Sequence, residues 1–586
     1  MPTTRIDPRT FLWVLVVLSL ATMNAPQDVW DTIRHLRVPD TDDAMRLVEV
    51  RDLVAGQGWY DNTQYRFLAP DGVPSHWSRL VDAPIAGLVW ALTPLAGRGL
   101  AEGLTAAFWP GLLFGLFCTL LYRGVRENFC GRAAILAVLV ATQTFGIAIQ
   151  FQPGRVDHHN VQILAILGLA LCMIRGGLRP GLVGGGLAAL SLAVGLEGLP
   201  SVAFGALYLV GDWCRRGRPA LPGLAGFGIG LGLAAPLLFA AQTAPGLWTA
   251  PRCDALSPPW LWLTAGGLGF AIAASVLGRH LATLKSRLVL AGACGLVLLG
   301  GFALAFPVCL DGPFAGMTPL VRDHWLLTVN EMASVRHSIA QGRWEMLVFY
   351  PVVLLATLTA TWMAWRGTQR RAWSVAALFL WPGLFLGLFQ FRGLYIASGF
   401  VPLVAGPVLD RALNLAAAPE TGLRRWGSVA LGGCLVSTLW LAPTALAEWL
   451  SSSSRTAPDP AGVIACQGDA AVRPLAALPA GTVLAPIFLG PSILLRTPHA
   501  IVAAPYHRAI PGLTAAIEGL GGTEADLDRV VDRFKVDYLV ACPARPADDL
   551  QSEPAFATRL ARGEASSERL EPVPLPGPLK VWRVVR

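Results

Sequence analysis

Long apolar runs separated by short polar stretches fill the chain from its start to residue 447. A helix needs about 20 apolar residues to cross a bilayer. Runs of that kind fall near 11–27, 104–122, 133–150, 160–175, 181–197, 200–213, 221–243, 260–278, 288–307, 346–365, 372–391, 394–410 and 426–447, thirteen in all. The first follows Arg5 and Arg9, as a signal peptide would, but no small-x-small cleavage site precedes Pro26, Gln27 and Asp28, so a retained helix is expected. One further stretch, Pro84 to Ala96, has about 13 residues and is interrupted by prolines, which suits an interfacial or re-entrant helix. Beyond residue 447 the pattern changes. Short β-rich runs begin at Thr482, Ala500 and Val536, and helical spacing occupies Leu513–Leu520 and Thr523–Lys535. Such alternation predicts a parallel sheet. The expected architecture is therefore an α-helical polytopic membrane domain over 1–447 and a small soluble α/β domain over 448–586.

Composition agrees: 54% of the 586 residues are hydrophobic and 14% charged, against about 25% charged in soluble domains. The net charge of +8 raises the question of nucleic acid, but no basic, aromatic-interleaved patch is present. Basic residues instead occupy alternate loops: Arg123, Arg126 and Arg132; Arg175 and Arg179; Arg215, Arg216 and Arg218; Arg279, Lys285 and Arg287; Arg366, Arg370 and Arg371; Arg411, Arg424 and Arg425. That is the positive-inside pattern. It predicts a multi-pass inner-membrane protein with a cytoplasmic N-terminus and a periplasmic C-terminal domain. Counting Pro84–Ala96 as a crossing would put the Arg123–Arg132 cluster outside. The outer segments of interest are then 28–103, 151–159, 308–345 and the C-terminal domain, where Cys466 and Cys542 meet oxidising conditions that permit a disulfide.

Most acidic and histidine residues of interest lie on this outer face. The first outer segment holds Asp40, Asp42 and Asp43, followed by Met45, Val48, Asp52 and Leu53 at helical spacing, with Asp40 or Thr41 as the N-cap. The same pattern also describes a capped, solvated surface helix. The second, Gln152–Asn160, sets Arg155, Asp157, His158 and His159 between two spans, where ionisable groups are costly and often functional. Asp with His suits Mn2+, Zn2+ or Fe, and carboxylates alone suit Mg2+ or Mn2+. In an extended loop Asp157 and His159 would face one way and His158 the other. The third, 308–345, carries Asp311, Arg322, Asp323, His324 and Glu331 and has the length of a lid. Arg392 stands at the outer edge between apolar runs. Phosphate binding and snorkelling both account for it.

Taken in order on one face, these residues resemble the multispanning GT-C glycosyltransferases. They are most similar to the catalytic subunit of oligosaccharyltransferase in its single-subunit bacterial and archaeal form, over roughly residues 1–410. The resemblance implies a catalytic, metal-binding carboxylate at Asp42, ahead of Arg51-Asp52-Leu-Val-Ala-Gly56, with Asp43 as the alternative. It implies further metal ligands at Asp157 and His159, a lid glutamate at Glu331 in Thr328-Val-Asn-Glu331, and donor-phosphate contacts at Arg392 and Tyr395. The implied cofactor is a divalent metal, Mn2+ or Mg2+. The family's Trp-Trp-Asp motif, which reads the acceptor sequon, is missing: residues 448–586 contain just Trp449 and Trp582, and neither precedes Asp. His158, and His507 with Arg508 in Tyr506-His507-Arg508, are candidate contacts to a different acceptor.

The function expected is transfer of a sugar or oligosaccharide from a polyprenyl-(pyro)phosphate carrier to an acceptor (glycan, lipid or protein) on the periplasmic face, at the bilayer surface and without nucleic acid. Two alternatives stay open. In a metal-independent transferase using a polyprenyl-monophosphate sugar, Asp42 would serve as base and Asp-His-His as structure. A non-enzymatic transporter or flippase would place its charges mid-membrane and show internal repeats, whereas here they lie at the outer ends of the spans.

Overall fold

The computed structural model describes residues 13, 14, 16–18, 20, 24–417, 422–452, 465, 466, 469–543 and 554–586. Much of the expected first span, 11–27, lies outside them. The chain folds as two compact units. One comprises Met1–Leu36, Glu102–Ala315 and Glu331–Ser453; the other comprises Arg37–Ala101, Gly316–Asn330 and Ser454–Arg586.

Among the described residues eight helices are long and apolar enough to cross a membrane, or ten if each of two bent pairs is one span. The run 133–150 is such a pair: Gly131–Gln143 and Phe145–Phe151 meet at 70°. At the corner Thr144 leaves the helical region (φ −92°, ψ 106°) and its hydroxyl donates back to Val140 O at 2.9 Å, a side-chain bond that competes with helix continuation. The run 426–447 is likewise two helices, bent by 88° between Cys434 and Ser437. The stretch expected from Pro84 begins earlier, as an 18-residue helix Arg79–Ala96 capped by Ser78. Its first turn carries Arg79 and Asp82, and at this length it is one of the eight helices long and apolar enough to cross, where the sequence suggested a shorter stretch of about 13 residues.

In the first unit, helices Leu178–Val194 and Leu221–Gln242 pack backbone to backbone. A Cβ at Gly185 would lie 2.3 Å from Phe227 O, and one at Gly230 would lie 2.2 Å from Leu182 O. Close approach through small residues is how helices associate where lipid removes the hydrophobic drive. This contact places the turn 195–198, which follows the first of the two helices.

In the second unit, a short hairpin, β1 (Thr63–Gln64) and β2 (Val73–Pro74), belongs to the first outer segment. The C-terminal residues form a sheet of β3 (Thr482–Leu484), β4 (Ala500–Ile501), β5 (Tyr538–Ala541), β6 (Leu570–Val573) and β7 (Lys580–Val584), in the order β4-β3-β5-β7-β6. The first three strands are parallel, as the alternation predicts, with helices Ile510–Gly521 and Glu524–Phe534 between β4 and β5. Strands β6 and β7 add an antiparallel edge. Cys466 and Cys542 are joined.

The first outer segment is fastened to this sheet domain through its arginines. Arg66 donates to Leu494 O (2.8 Å), Thr497 O (2.9 Å) and His499 O (3.3 Å), and Arg51 donates to Leu495 O (2.5 Å). These carbonyls lie in and after the last turn of helix Gly490–Arg496, where cations are favoured. Backbone bonds between Arg66, Leu68 and Ile501 extend the edge of β4. Beneath helix Thr41–Val54, Asp82 accepts from Arg46 (2.8 Å) and Arg79 (3.2 Å), all three buried, and Arg46 lies 4.6 Å over the Trp77 ring. Glu49 joins this cluster. Burial, and then the Asp82 charge, push its pKa up to about 8, against the pull of Arg46 and Arg79.

Candidate active site

The segment 152–158 links helices Phe145–Phe151 and His159–Arg175, and Arg155, Asp157, His158, His159 and Asn160 are all buried. Burying so many polar groups requires that they bond to one another. Gly154 N donates to Ala106 O (2.9 Å), Arg155 Nε to Gln150 Oε1 (3.1 Å), and Asn160 Nδ2 to Arg155 O (3.0 Å). Asp157 stands at the centre. Its Oδ1 is 2.7 Å from His158 Nδ1, and its Oδ2 is 3.0 Å from His159 Nδ1 and 4.0 Å from Arg155 Nη2. Burial works to raise the Asp157 pKa, but the charges of His158 and then His159 outweigh it and hold the carboxyl well below its ordinary range.

Two distant stretches reach the same place. Glu331 Oε2 lies 3.8 Å from His159 Nε2, and its Oε1 lies 3.9 Å from Arg155 Nη2 and accepts from Tyr395 OH at 3.1 Å. Burial alone would raise its pKa; the nearby His159, then the charges of Arg155 and Arg392, bring it down to about 2. The stretches are held together by backbone: Arg392 N donates to Glu331 O and Phe391 N to Ala333 O, each at 3.0 Å. Arg392 occupies the break between helices Arg370–Phe389 and Gly393–Ser398. Its Nε donates to Gln390 Oε1 (3.2 Å) and its guanidinium lies 5.9 Å over the Phe314 ring.

Six of the residues singled out from sequence, Asp157, His158, His159, Glu331, Arg392 and Tyr395, therefore form one cluster within the first unit. Asp42, Asp43, His507 and Arg508 belong to the second. There Asp43 is buried and Asp42 partly exposed, Arg508 donates to Ser75 O (2.6 Å), and the His507 ring packs 4.7 Å from that of His76. Two members of the cluster carry no role in the sequence reading. Arg155 was visible in its loop. Glu197, in the turn Leu196–Gly198, approaches His158 Nε2 at 3.3 Å and Arg392 Nη1 at 3.8 Å. The signal for it was a lone carboxylate at the outer end of an apolar run.

The donor set fits a divalent cation. Asp157, His158 and His159 each offer a ligand atom within 4.8 Å of the others. Both ring nitrogens of His159 are buried and make no bond of hydrogen-bonding geometry, although each faces a carboxylate oxygen. A nitrogen–oxygen set of this kind suits Mn2+ or Zn2+.

No family model and no curated protein matches the chain at the level of sequence. Solved structures do match in fold. The archaeal oligosaccharyltransferase AglB from Archaeoglobus fulgidus, in complex with an inhibitory peptide and a dolichol-phosphate, superposes with a TM-score of 0.63 at 16% identity, covering 91% of this chain and 70% of that one. The Archaeoglobus fulgidus oligosaccharyltransferase tethered to an acceptor peptide containing the NVT sequon gives 0.63 at 14% identity, covering 92% and 69%. Its complex with Zn and sulfate gives 0.58 at 14%, covering 91% and 68%. The chain shares the fold of these oligosaccharyltransferases.

Proposed function

We propose that the protein is a membrane glycosyltransferase that takes a sugar or oligosaccharide from a polyprenyl-(pyro)phosphate carrier and passes it to an acceptor on the periplasmic face, with the help of a divalent metal. The observation that carries this reading is the meeting of Asp157–His159, which are buried, with the half-buried Glu331 and Arg392, from three separate segments, in one polar cluster of a membrane-type helical unit. The fold shared with a protein solved with dolichol-phosphate and, separately, with Zn and sulfate supports the same reading.

Asp157 and His159 would hold the metal, Mn2+, Mg2+ or Zn2+. When bound, such an ion supplies a Lewis acid against the charge that develops on the departing phosphate. Arg392 presents a fixed cation to the phosphate. Glu331, held by Tyr395, orients the acceptor hydroxyl or amide. The missing Trp-Trp-Asp motif argues for an acceptor other than the sequon. His507 and Arg508 stay candidates for contacting it.

The orientation is supported by the cysteines. Cys253–Cys309 and Cys466–Cys542 are bonded, and all four fall in segments that the arginine pattern assigns to the oxidising side.

The deciding experiment is release of sugar from a polyprenyl-pyrophosphate-linked donor by the purified protein, with and without EDTA. Release that EDTA abolishes, that Mn2+ restores, and that Asp157→Asn or His159→Ala reduces by at least about 100-fold is the expected result. Release indifferent to EDTA and to both substitutions would favour the metal-independent alternative. Donor movement across vesicles without release would favour a transporter.

A further inference from the structure

In the Asp157-His158-His159 motif three side chains offer ligand atoms, yet the two histidines are placed differently. His159 directs both nitrogens into the cluster without a hydrogen bond. His158 is engaged at both ends: Nδ1 lies 2.7 Å from Asp157 Oδ1 and Nε2 lies 3.3 Å from Glu197 Oε2. Both His158 nitrogens meet the geometry of a hydrogen bond, whereas those of His159, although they face Asp157 Oδ2 and Glu331 Oε2, do not, and a nitrogen lone pair committed to a hydrogen bond is not offered to a cation. Glu197 is itself held in place. Gln162 Nε2 donates to Glu197 Oε2 (3.1 Å) and to Gly195 O (2.8 Å), and the other carboxylate oxygen faces Arg392 Nη1 at 3.8 Å.

The backbone makes room for this arrangement. A Cβ at Gly195 would lie 2.4 Å from Glu197 Oε2, 2.8 Å from the His158 ring and 2.9 Å from Gln162 Nε2. Any side chain at 195 would displace all three, and the flexible carboxylate is the group that yields first.

We propose that Glu197 is a positioning residue: by engaging the far nitrogen of His158 it keeps that ring from the cation, so that His159 is the one histidine of the motif to bind it. This rests on the metal-dependent reading above. Partners of ligand-bearing groups set which atom binds and how, and losing one costs about 10–100-fold in affinity or activity.

The test counts imidazoles on the ion. Pulsed EPR of the full-length protein loaded with Mn2+ should show one coordinated imidazole in the wild type, and none after His159→Ala. Glu197→Ala should show two, with sugar release reduced about 10–100-fold. Gly195→Ala leaves the carboxylate in the chain but pushes it off His158, and should also show two; it carries the test if Glu197→Ala does not fold. One imidazole in the wild type and still one in both variants would overturn the role of Glu197 while leaving the metal reading intact. A wild type with no coordinated imidazole would overturn the metal reading, and this inference with it.

Discussion

Glu49 lies 3% exposed beside two arginines and Asp82, and its raised pKa has a consequence for stability. Between the ordinary value of 4.5 and about 8 the folded protein keeps a proton that the unfolded chain has released. Stability is therefore greatest below the lower value, falls as pH rises through that window, and levels off above it. Raising the pH from about 6 to about 9 should lower the Tm of the wild type more than that of Glu49→Gln, which keeps the shape and has no proton to lose. Equal shifts in the two proteins would remove Glu49 as the cause. At the cluster, Arg392→Lys keeps the charge but loses the planar fork. The KM for the lipid-linked donor should rise roughly tenfold, the equivalent of one charge-assisted hydrogen bond; an unchanged KM would put Arg392 away from the phosphate. Asp157, His159 and Arg392 were legible in the sequence because each is an ionisable residue at the edge of an apolar run, and Glu331 was legible through the resemblance of its loop motif Thr328-Val-Asn-Glu331. Glu197 was not, because it was absorbed into the end of the run 181–197. A hydropathy window does not penalise one carboxylate when the other sixteen residues of the run are apolar or small.

Among the elements, the most telling contact is made by Arg66, whose guanidinium serves carbonyls at the end of helix Gly490–Arg496. Arg66→Ala would leave those carbonyls without their donor and should destabilise the second unit by about 2 kcal/mol. Thermal unfolding of the full-length protein, followed at the sheet domain, reads this directly. No change in Tm would mean that water replaces the guanidinium freely. Elements were read from sequence with uneven success, for physical reasons. The parallel strands β3, β4 and β5 and the helices between them are short buried runs with clear punctuation. Strands β6 and β7 escaped notice because Leu570–Val573 shows only one buried residue and contains Glu571 and Pro572. The bends at Thr144 and after Cys434 were equally hidden, since a composition window records how apolar a stretch is and not where its backbone turns. Arg79–Ala96 starts earlier than expected because ion pairs with Arg46 and Asp82 let charged residues occupy its first turn.

For the whole molecule, the cysteines turn orientation into a labelling experiment. Cys130 is exposed and free, in a segment the arginine pattern puts on the cytoplasmic side. A membrane-impermeant maleimide should reach Cys130 in inverted vesicles and not in intact spheroplasts, while Cys253, Cys309, Cys466 and Cys542 should react in spheroplasts only after reduction. Labelling of Cys130 from outside would reverse the topology.

The bond between Cys253 and Cys309 also bears on how such a chain is made. Two membrane-type helices, Pro258–Leu277 and Leu284–Ala305, lie between the bonded residues. Synthesis delivers Cys253 first. Its partner arrives only after the chain has gone down through one helix and come back through the next. A hairpin that failed to insert, or that stalled with one helix across, would leave Cys309 in the wrong compartment and both thiols reduced. The linkage thus distinguishes finished hairpins from unfinished ones during biogenesis, and a non-reducing gel of newly synthesised chains would show the fraction that had completed the passage.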